Sequence, residues 1–389
     1  MTDNDYYYKE ELIFDSFVIV NKIKKSQSFT ELTYKDLYED NPLFEKLIKK
    51  LNNISNDTFS KEKKDILNKI GDFIGKNRIT NDILEKIIEN GIPNEILSLR
   101  PLIWKALIGY LPISDLSKWK EKIIKNSKRY NQLKKETLLN ININNYINDN
   151  LISKEDKDLL IQIDKDLPRT RGEINFFKLY CKKNKKKTNY EIMKRILFIY
   201  AKQHPELKYI QGMNEILAVI YYTFENDDNP FMLNYTESDS YYTFEILLEE
   251  IKQVFIMDDI NFSQLFVVIE IKFIKNILQK LDKDLFNHFE NENVSLETFL
   301  MRWLLVLFAQ EFQLDTTINF WDRMFTQKNK INFLCYVSAA LLINNRNLLI
   351  NMDSIEIMAF SQSFGEKFKG KEISEIVKKA IDIKLEYKI

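Results

Sequence analysis

The sequence predicts an all-α protein, and two observations support this fold class. Its 389 residues include only seven prolines and eight glycines, so few positions interrupt regular structure. Apolar residues recur at steps of three and four over long segments, whereas the strict alternation of half-buried strands is rare. A chain of this length is large enough for two ordinary domains, or for one large helical domain with extensions.

The first part of the chain, residues 1–88, is predicted to form helical segments separated by polar turns. Ser55-Asn56-Asp57 is one such turn. No pattern in this part indicates a chemical reaction, and we interpret it as a helical N-terminal extension.

The clearest helix is predicted over residues 190–203, where isoleucines repeat at steps of three and four. Thr188 and Glu191 have the spacing of a capping box at its start. Pro205 follows its last residues and should end it. The predicted helix therefore has a start signal, an apolar face and a stop signal.

Two further kinds of segment are predicted elsewhere in the chain. Residues 140–150 are rich in asparagine, residues 182–187 in lysine and residues 225–240 in acidic residues, so all three are predicted to be surface loops. Residues 299–309 and 331–343 are almost wholly apolar, which is typical of helices buried on all sides.

Composition excludes several classes of function. Lys+Arg and Asp+Glu both number 57, and a net charge of zero argues against a dedicated nucleic-acid binder. Two cysteines and two histidines are too few for a usual zinc site, and Ser/His/Asp catalysis would depend on one of those two histidines. We therefore predict no metal site and no cofactor of the chain's own.

The sequence also predicts a protein outside the bilayer. Its N-terminal residues, Met-Thr-Asp-Asn-Asp, are polar and acidic, unlike a signal peptide. The longest uncharged run, residues 331–345, is shorter than the roughly 20 apolar residues of a membrane span. We expect a cytoplasmic protein.

Arg100 and Trp104 lie four residues apart, on one face of a predicted helix. At this spacing the guanidinium could stack on the indole. We interpret the two residues as a structural cation–π pair at a helix start.

A second segment centres on Arg169. Pro168 is expected to hold the backbone extended before it, and Asp166 is placed three residues earlier, where it could orient the guanidinium. Taken alone, this pattern is typical of a surface ion pair. Arg171 is a rival for any role given to Arg169.

The third segment, residues 209–214, precedes a strongly apolar stretch. Gln211 is therefore predicted at the N-terminus of a buried helix, with Gly212 allowing a close backbone approach. Taken alone, Gln211 is typical of a polar helix cap.

Together and in this order, the three segments resemble the TBC-domain family, the GTPase-activating proteins of Rab GTPases. The family motif R-x-x-x-W matches Arg100 and Trp104. The motif I-x-x-D-x-x-R matches Ile163, Asp166 and Arg169, which is followed by Thr170. The motif Y-x-Q-G-M matches Tyr209, Gln211, Gly212 and Met213. An R-W-L segment at residues 302–304 and a W-D pair at residues 321–322 also agree. The resemblance covers roughly residues 91–325.

The resemblance implies a two-subdomain helical TBC fold. Residues 89–235 would form the N-terminal subdomain and residues 236–389 the C-terminal one. It further implies that Arg169 is an arginine finger and Gln211 a glutamine finger, both supplied in trans to accelerate GTP hydrolysis. The spacing to Asp166 favours Arg169 over Arg171.

The other motif residues are expected to support these two. Orienting or partner-binding roles fall to Asp166, Thr170, Tyr209, Gly212 and Met213. Tyr209 could be buried with a bonded hydroxyl, or it could contact the partner. Arg100 and Trp104 would be structural.

The implied partner is a Rab-family small GTPase in its GTP-bound state, acting in vesicle trafficking. GTP and Mg²⁺ would belong to that partner, so the chain would be an activator and not itself an enzyme. We expect no nucleic-acid partner, because the net charge is zero, and contact with Rab-bearing membranes only indirectly, through the lipidated Rab. The alternatives are a non-catalytic Rab-binding effector or scaffold, and a helical interaction protein without a GTPase partner.

Charge is unevenly distributed near these motifs. Residues 209–251 contain nine acidic residues and no Lys or Arg, whereas residues 178–187 contain six lysines and no acid. This polarity could steer a GTPase or face anionic lipid, or it could mark two solvated loops.

Overall fold

A computed structural model describes residues 43, 81–94, 98–147, 149–183, 185–255, 262–362 and 370–387. In these residues helices dominate, and the only pairing of extended segments is an isolated bridge between Tyr180 and Thr188. The predicted all-α class is confirmed. The predicted N-terminal extension lies outside the described residues, except for Leu43 and residues 81–88.

The described part of the chain contains sixteen α-helices. In chain order they are α1 (Asn81–Asn90), α2 (Leu99–Leu107), α3 (Trp119–Thr137), α4 (Lys154–Asp166), α5 (Asn189–Gln203), α6 (Met213–Glu225), α7 (Pro230–Leu233), α8 (Thr236–Ile251), α9 (Phe262–Leu281), α10 (Lys283–Asn291), α11 (Leu296–Leu305), α12 (Leu314–Met324), α13 (Lys330–Asn344), α14 (Arg346–Leu349), α15 (Ser354–Gln362) and α16 (Gly370–Tyr387). Single 3₁₀ turns occupy Leu116–Lys118, Leu167–Arg169, Asn175–Lys178 and Lys252–Val254.

Helix α5 begins and ends where its sequence signals predict. The Thr188 hydroxyl accepts from the Glu191 amide at 3.3 Å, and the Glu191 carboxylate accepts from the Thr188 amide at 2.7 Å. This reciprocal pair is the predicted capping box. The helix ends at Gln203, two residues before Pro205.

The loop predicted at residues 225–240 is wrong over most of its length, because α7 and α8 begin within it. The Asn229 side chain caps α7 by accepting from the Phe231 amide at 3.0 Å, and Pro230 fits its first position. In α8, Glu237 and Asp239 lie in the first turn, where acidic residues favour a helix. Acidic residues at a helix start resemble an acidic loop in sequence.

The helices form two packed groups around one continuous core. Helices α3, α4, α5, α6 and α8 pack together, and so do α9, α10, α11, α13 and α16. Helix α12 contacts both α6 and α16, and joins the groups. Helix α8 packs against α3, α5 and α6, which places it with the first group although the predicted division at residue 235 assigns it to the second.

The two apolar segments near the end of the chain are buried. Helix α13 covers residues 331–343 and is buried on nearly all sides, as predicted. Helix α11 ends at Leu305, earlier than predicted, and Leu307 and Phe308 continue in a left-handed turn at φ 51° and 59°. Among the described helices, none is long and apolar enough to cross a membrane.

Arg100 and Trp104 do lie on one face of α2, but the predicted stacking between them is wrong. Both donate to one buried carboxylate on α12, Asp322: Arg100 Nε at 2.8 Å and Nη2 at 3.0 Å, and Trp104 Nε1 at 2.8 Å. The Ile92 amide also donates to this carboxylate, at 2.8 Å. A charged acceptor satisfies a buried guanidinium better than an indole face does, because it provides charge-assisted hydrogen bonds. The pair therefore ties α2 to α12.

Candidate functional site

The backbone around Arg169 forms a tight turn, whereas extended backbone was predicted before it. Helix α4 ends at Asp166, and Leu167–Arg169 continue directly as a 3₁₀ turn, with Leu167 at φ −56° and ψ −45°. The fixed φ of Pro168 suits such a turn as well as it suits extended backbone. The turn directs the Arg169 side chain back onto the last turn of α4.

The Arg169 guanidinium is held at the surface by a buried carboxylate. Its Nη2 pairs with Asp166 Oδ1, and its Nε donates to the Lys165 carbonyl at 3.1 Å. The Arg169 side chain is 65% exposed, whereas that of Asp166 is only 7% exposed. The predicted orienting contact is therefore present, with an exposed donor on a fixed acceptor.

Arg171 points in the opposite direction. It has a left-handed backbone at φ 47°, and its guanidinium donates to the carbonyl of Phe312 at 2.8 Å, to the carbonyl of Ala309 and to Thr317 Oγ1 at 3.2 Å. The side chain is 7% exposed and lies 3.8 Å from Glu215, and its burial lowers its pKa. Of the two arginines, only Arg169 can meet a partner at the surface.

The site has two loops: the first is residues 167–171, and the second is residues 209–212. The second loop leads into α6, which begins at Met213. Gly212 precedes it at φ 107°, and a Cβ there would lie 2.9 Å from Val306 Cγ1. The predicted close approach at this glycine is confirmed, and the left-handed conformation is a second reason for it. Gln211 lies immediately before this turn, with an exposed side chain.

Hydrogen bonds join the two loops. Tyr209 Oη donates to Asp166 Oδ2 at 2.7 Å, so one carboxylate holds both the tyrosine and Arg169. Asn214 Nδ2 donates to Thr170 Oγ1 at 2.8 Å, and its Oδ1 accepts from the Gly212 amide at 3.0 Å. The backbones that carry the exposed Arg169 and Gln211 are thus fixed to each other.

The motif residues other than Arg169 and Gln211 are buried. Asp166, Thr170, Tyr209, Gly212 and Met213 are all buried, which favours the orienting role over contact with a partner. For Tyr209 the structure shows the first of the two alternatives, a buried ring with a bonded hydroxyl. Burial and the hydrogen bond to Asp166 raise the pKa of Tyr209, so it remains a donor.

Sequence reasoning missed two residues of this site, Asn214 and Tyr190, and the structural role of a third, Arg171. Asn214 bridges the two loops, Tyr190 donates to the Thr170 carbonyl at 2.9 Å, and Arg171 joins the first loop to the turn before α12. Asn214 gave one local signal, because it is a polar residue at the start of an otherwise apolar helix. The spacing of Tyr190 and Arg171 gave none.

Replacing Gly212 by alanine tests the backbone requirement. We expect the free energy of unfolding to fall by about 2–3 kcal/mol, since left-handed strain costs about 1–2 kcal/mol and the contact with Val306 adds to it. Gly109→Ala is the matched control, because Gly109 has φ 87° and no atom within 4 Å of its Cβ position. Urea denaturation of both variants measures the difference, and equal losses would contradict the close approach.

Comparison with known proteins gives consistent matches. A family model, the Rab-GTPase-TBC domain, matches residues 97–350. TBC1 domain family member 13 of Mus musculus is 28% identical, over 76% of this chain and 94% of that protein. GTPase-activating protein GYP1 of Saccharomyces cerevisiae is also 28% identical, over 66% of this chain and 39% of that protein. Residues 195–201 and 211–215 predict the resemblance to family member 13, and the comparison confirms it.

Solved structures agree with the fold. The crystal structure of the Ypt/Rab-GAP domain of Gyp1p superposes with a TM-score of 0.67 at 25% identity, over 88% of this chain and 99% of that chain. A Chlamydomonas flagellar RabGAP TBC domain superposes with a TM-score of 0.58 at 17% identity, which supports the fold alone.

Proposed function

Because this chain belongs to the Rab-GTPase-TBC domain family, whose model matches residues 97–350, we propose that it accelerates GTP hydrolysis by a Rab-family GTPase in vesicle trafficking. One observation carries the proposal beyond family membership. The two exposed side chains predicted to act on the partner, Arg169 and Gln211, lie on loops cross-linked by buried hydrogen bonds. Such preorganisation is what catalysis by positioning and charge requires.

Arg169 is the proposed arginine finger. Hydrolysis spreads negative charge over the phosphate oxygens, and a planar guanidinium can donate two parallel hydrogen bonds to them. The Arg169 side chain is exposed and can turn outward, while the buried Asp166 carboxylate keeps its hydrogen bond from Tyr209.

Gln211 is the proposed glutamine finger. A side-chain amide can both donate and accept, and so can orient an attacking water. The left-handed turn at Gly212 and the start of α6 fix the backbone from which Gln211 projects. In this role Gln211 replaces the water-positioning glutamine of the GTPase.

The proposed partner is the GTP-bound state of the Rab, because Arg169 and Gln211 would both act at the terminal phosphate of GTP. GTP and Mg²⁺ are held by the GTPase, and this chain supplies only side chains in trans. Association with a membrane follows from the lipidated partner, which places the protein in the cytoplasm at Rab-bearing membranes.

Phosphate release from a panel of GTP-loaded Rabs tests the function. We expect one Rab or a small group to be hydrolysed faster with this protein than alone. Binding to GTP-loaded Rabs without any acceleration would support the effector or scaffold alternative. Absence of nucleotide-dependent binding across the panel would support an interaction protein without a GTPase partner.

Replacing Gln211 by alanine should reduce the stimulated rate constant by about 10–100-fold, the range expected for misplacing one reactant. The apparent affinity for the Rab should change little, because one exposed side chain is removed. Gln203→Ala, an exposed glutamine at the end of α5, is the matched control. Single-turnover hydrolysis at saturating protein separates the two effects.

A Rab whose own water-positioning glutamine is changed to alanine sharpens the test. If Gln211 takes over that role, wild-type protein still stimulates this Rab while Gln211→Ala does not. Loss of stimulation with wild-type protein would assign the water to the GTPase and contradict the glutamine finger.

A further inference from the structure

A cavity of about 400 Å³ opens on the first group of helices and shares no residue with the Arg169 and Gln211 loops. Its walls come from α3, α5, α6, α7 and α8 and from the lysine-rich loop between Cys181 and Thr188. This volume is within the range of small-molecule sites.

The charges that line the cavity are unbalanced. Four cationic side chains face it, against two carboxylates, Glu225 and Glu237. The cations are Lys134 from α3, Lys183 and Lys187 from the loop, and Arg195 from α5.

Both carboxylates are already engaged by the protein. Glu237 accepts from Arg195 Nε at 2.6 Å and Nη2 at 2.7 Å, and from the Tyr130 hydroxyl at 2.8 Å. Glu225 accepts from the Lys182 amide. Lys134 Nζ is 3.6 Å from Glu237, at the margin of this cluster.

Two of the lysines have lowered pKa values, mainly because they are partly buried. Burial and the neighbouring Arg195 charge lower the pKa of Lys134 and the pKa of Lys187, and Glu237 offsets this only in part. A multiply charged anion in the cavity would favour the charged form of both lysines.

We propose that this cavity binds a small anion carrying two or more phosphate groups, either free in solution or as the headgroup of a membrane lipid. Ammonium groups and a guanidinium are the usual partners of phosphate oxygens in proteins. Arg195 is fixed by its two bonds to Glu237 and forms the base of the site, while exposed Lys183 lies on the loop at its rim. The proposal is independent of GTPase activation.

Isothermal titration with inositol 1,4,5-trisphosphate tests the site on the full chain. We expect saturable binding that weakens as salt rises. The double variant Lys183→Ala/Lys187→Ala should weaken it about tenfold or more, since two charge-assisted contacts are lost. The matched control is Lys185→Ala/Lys186→Ala, which removes two exposed lysines of the same loop that do not line the cavity.

Vesicle sedimentation separates the two sources of phosphate. Binding to phosphatidylcholine vesicles only when they contain phosphatidylinositol 4,5-bisphosphate supports a lipid headgroup, whereas trisphosphate binding without vesicle binding supports a soluble ligand. The proposal is overturned if no trisphosphate binds, or if both double variants weaken binding equally, which would show unspecific attraction to the loop. Thermal melting of each variant verifies folding.

Discussion

Replacing Arg169 by alanine is expected to reduce the GTP hydrolysis that this protein stimulates in its Rab by about 10³-fold or more, the range measured for arginine fingers. This factor corresponds to about 4 kcal/mol of barrier. The fold should be unchanged, because the Arg169 side chain is 65% exposed and its partners are the Asp166 carboxylate and the Lys165 carbonyl at the end of α4. The loss should therefore appear in the rate and not in stability.

Single-turnover hydrolysis with the responsive Rab measures this effect. Arg129→Ala removes an exposed arginine from α3 and is the matched control. Arg169→Lys keeps the charge but lacks the planar fork, and we expect it to recover only part of the lost rate. Full activity of a folded Arg169→Ala protein would remove Arg169 from the mechanism.

Replacing Asp322 by alanine should have the largest effect on stability. Asp322 is 0% exposed and accepts from Arg100, Trp104 and the Ile92 amide. Its removal leaves the buried Arg100 guanidinium without its counter-charge. We therefore expect the free energy of unfolding to fall by about 3–5 kcal/mol. Urea denaturation, monitored by circular dichroism, measures the free energy of unfolding.

Two further variants identify the cause of that loss. Asp158→Ala removes an exposed carboxylate in the middle of α4 and should change stability by less than about 0.5 kcal/mol. Arg100→Met combined with Asp322→Leu should lose less than the sum of the single variants, since neither charge is then buried alone. A loss for Asp322→Ala no larger than that for Asp158→Ala would show that the carboxylate does not hold α2 to α12.

What the sequence could predict was local. The all-α class, the capping box at Thr188 and the buried helix over residues 331–343 follow from periodicity and caps over a few residues. The motif spacing indicated the Asp166–Arg169 pair because its members are three residues apart in the chain.

What the sequence could not predict was long-range pairing. The acceptor shared by Arg100 and Trp104 lies 222 and 218 residues away, so spacing within α2 suggested stacking instead. The Phe312 carbonyl that accepts from Arg171 lies 141 residues away. The residues next to Arg171 in the chain therefore gave no indication that Arg171 is buried and Arg169 exposed. Local composition also failed at residues 230–240, where acidic helix starts resemble a loop.

The contact between Arg169 and Asp166 has a consequence for selectivity among phosphates. In the free protein the guanidinium is occupied, so any phosphate in solution must compete with a carboxylate already in place. The guanidinium is the exposed member of the pair, so several aligned oxygens of a docked nucleotide can displace the carboxylate, which keeps its hydrogen bond from Tyr209. A free nucleotide that meets Arg169 alone gains little by the exchange. For the arginine finger proposed above, this competition would disfavour free nucleotides relative to a nucleotide that a docked partner presents.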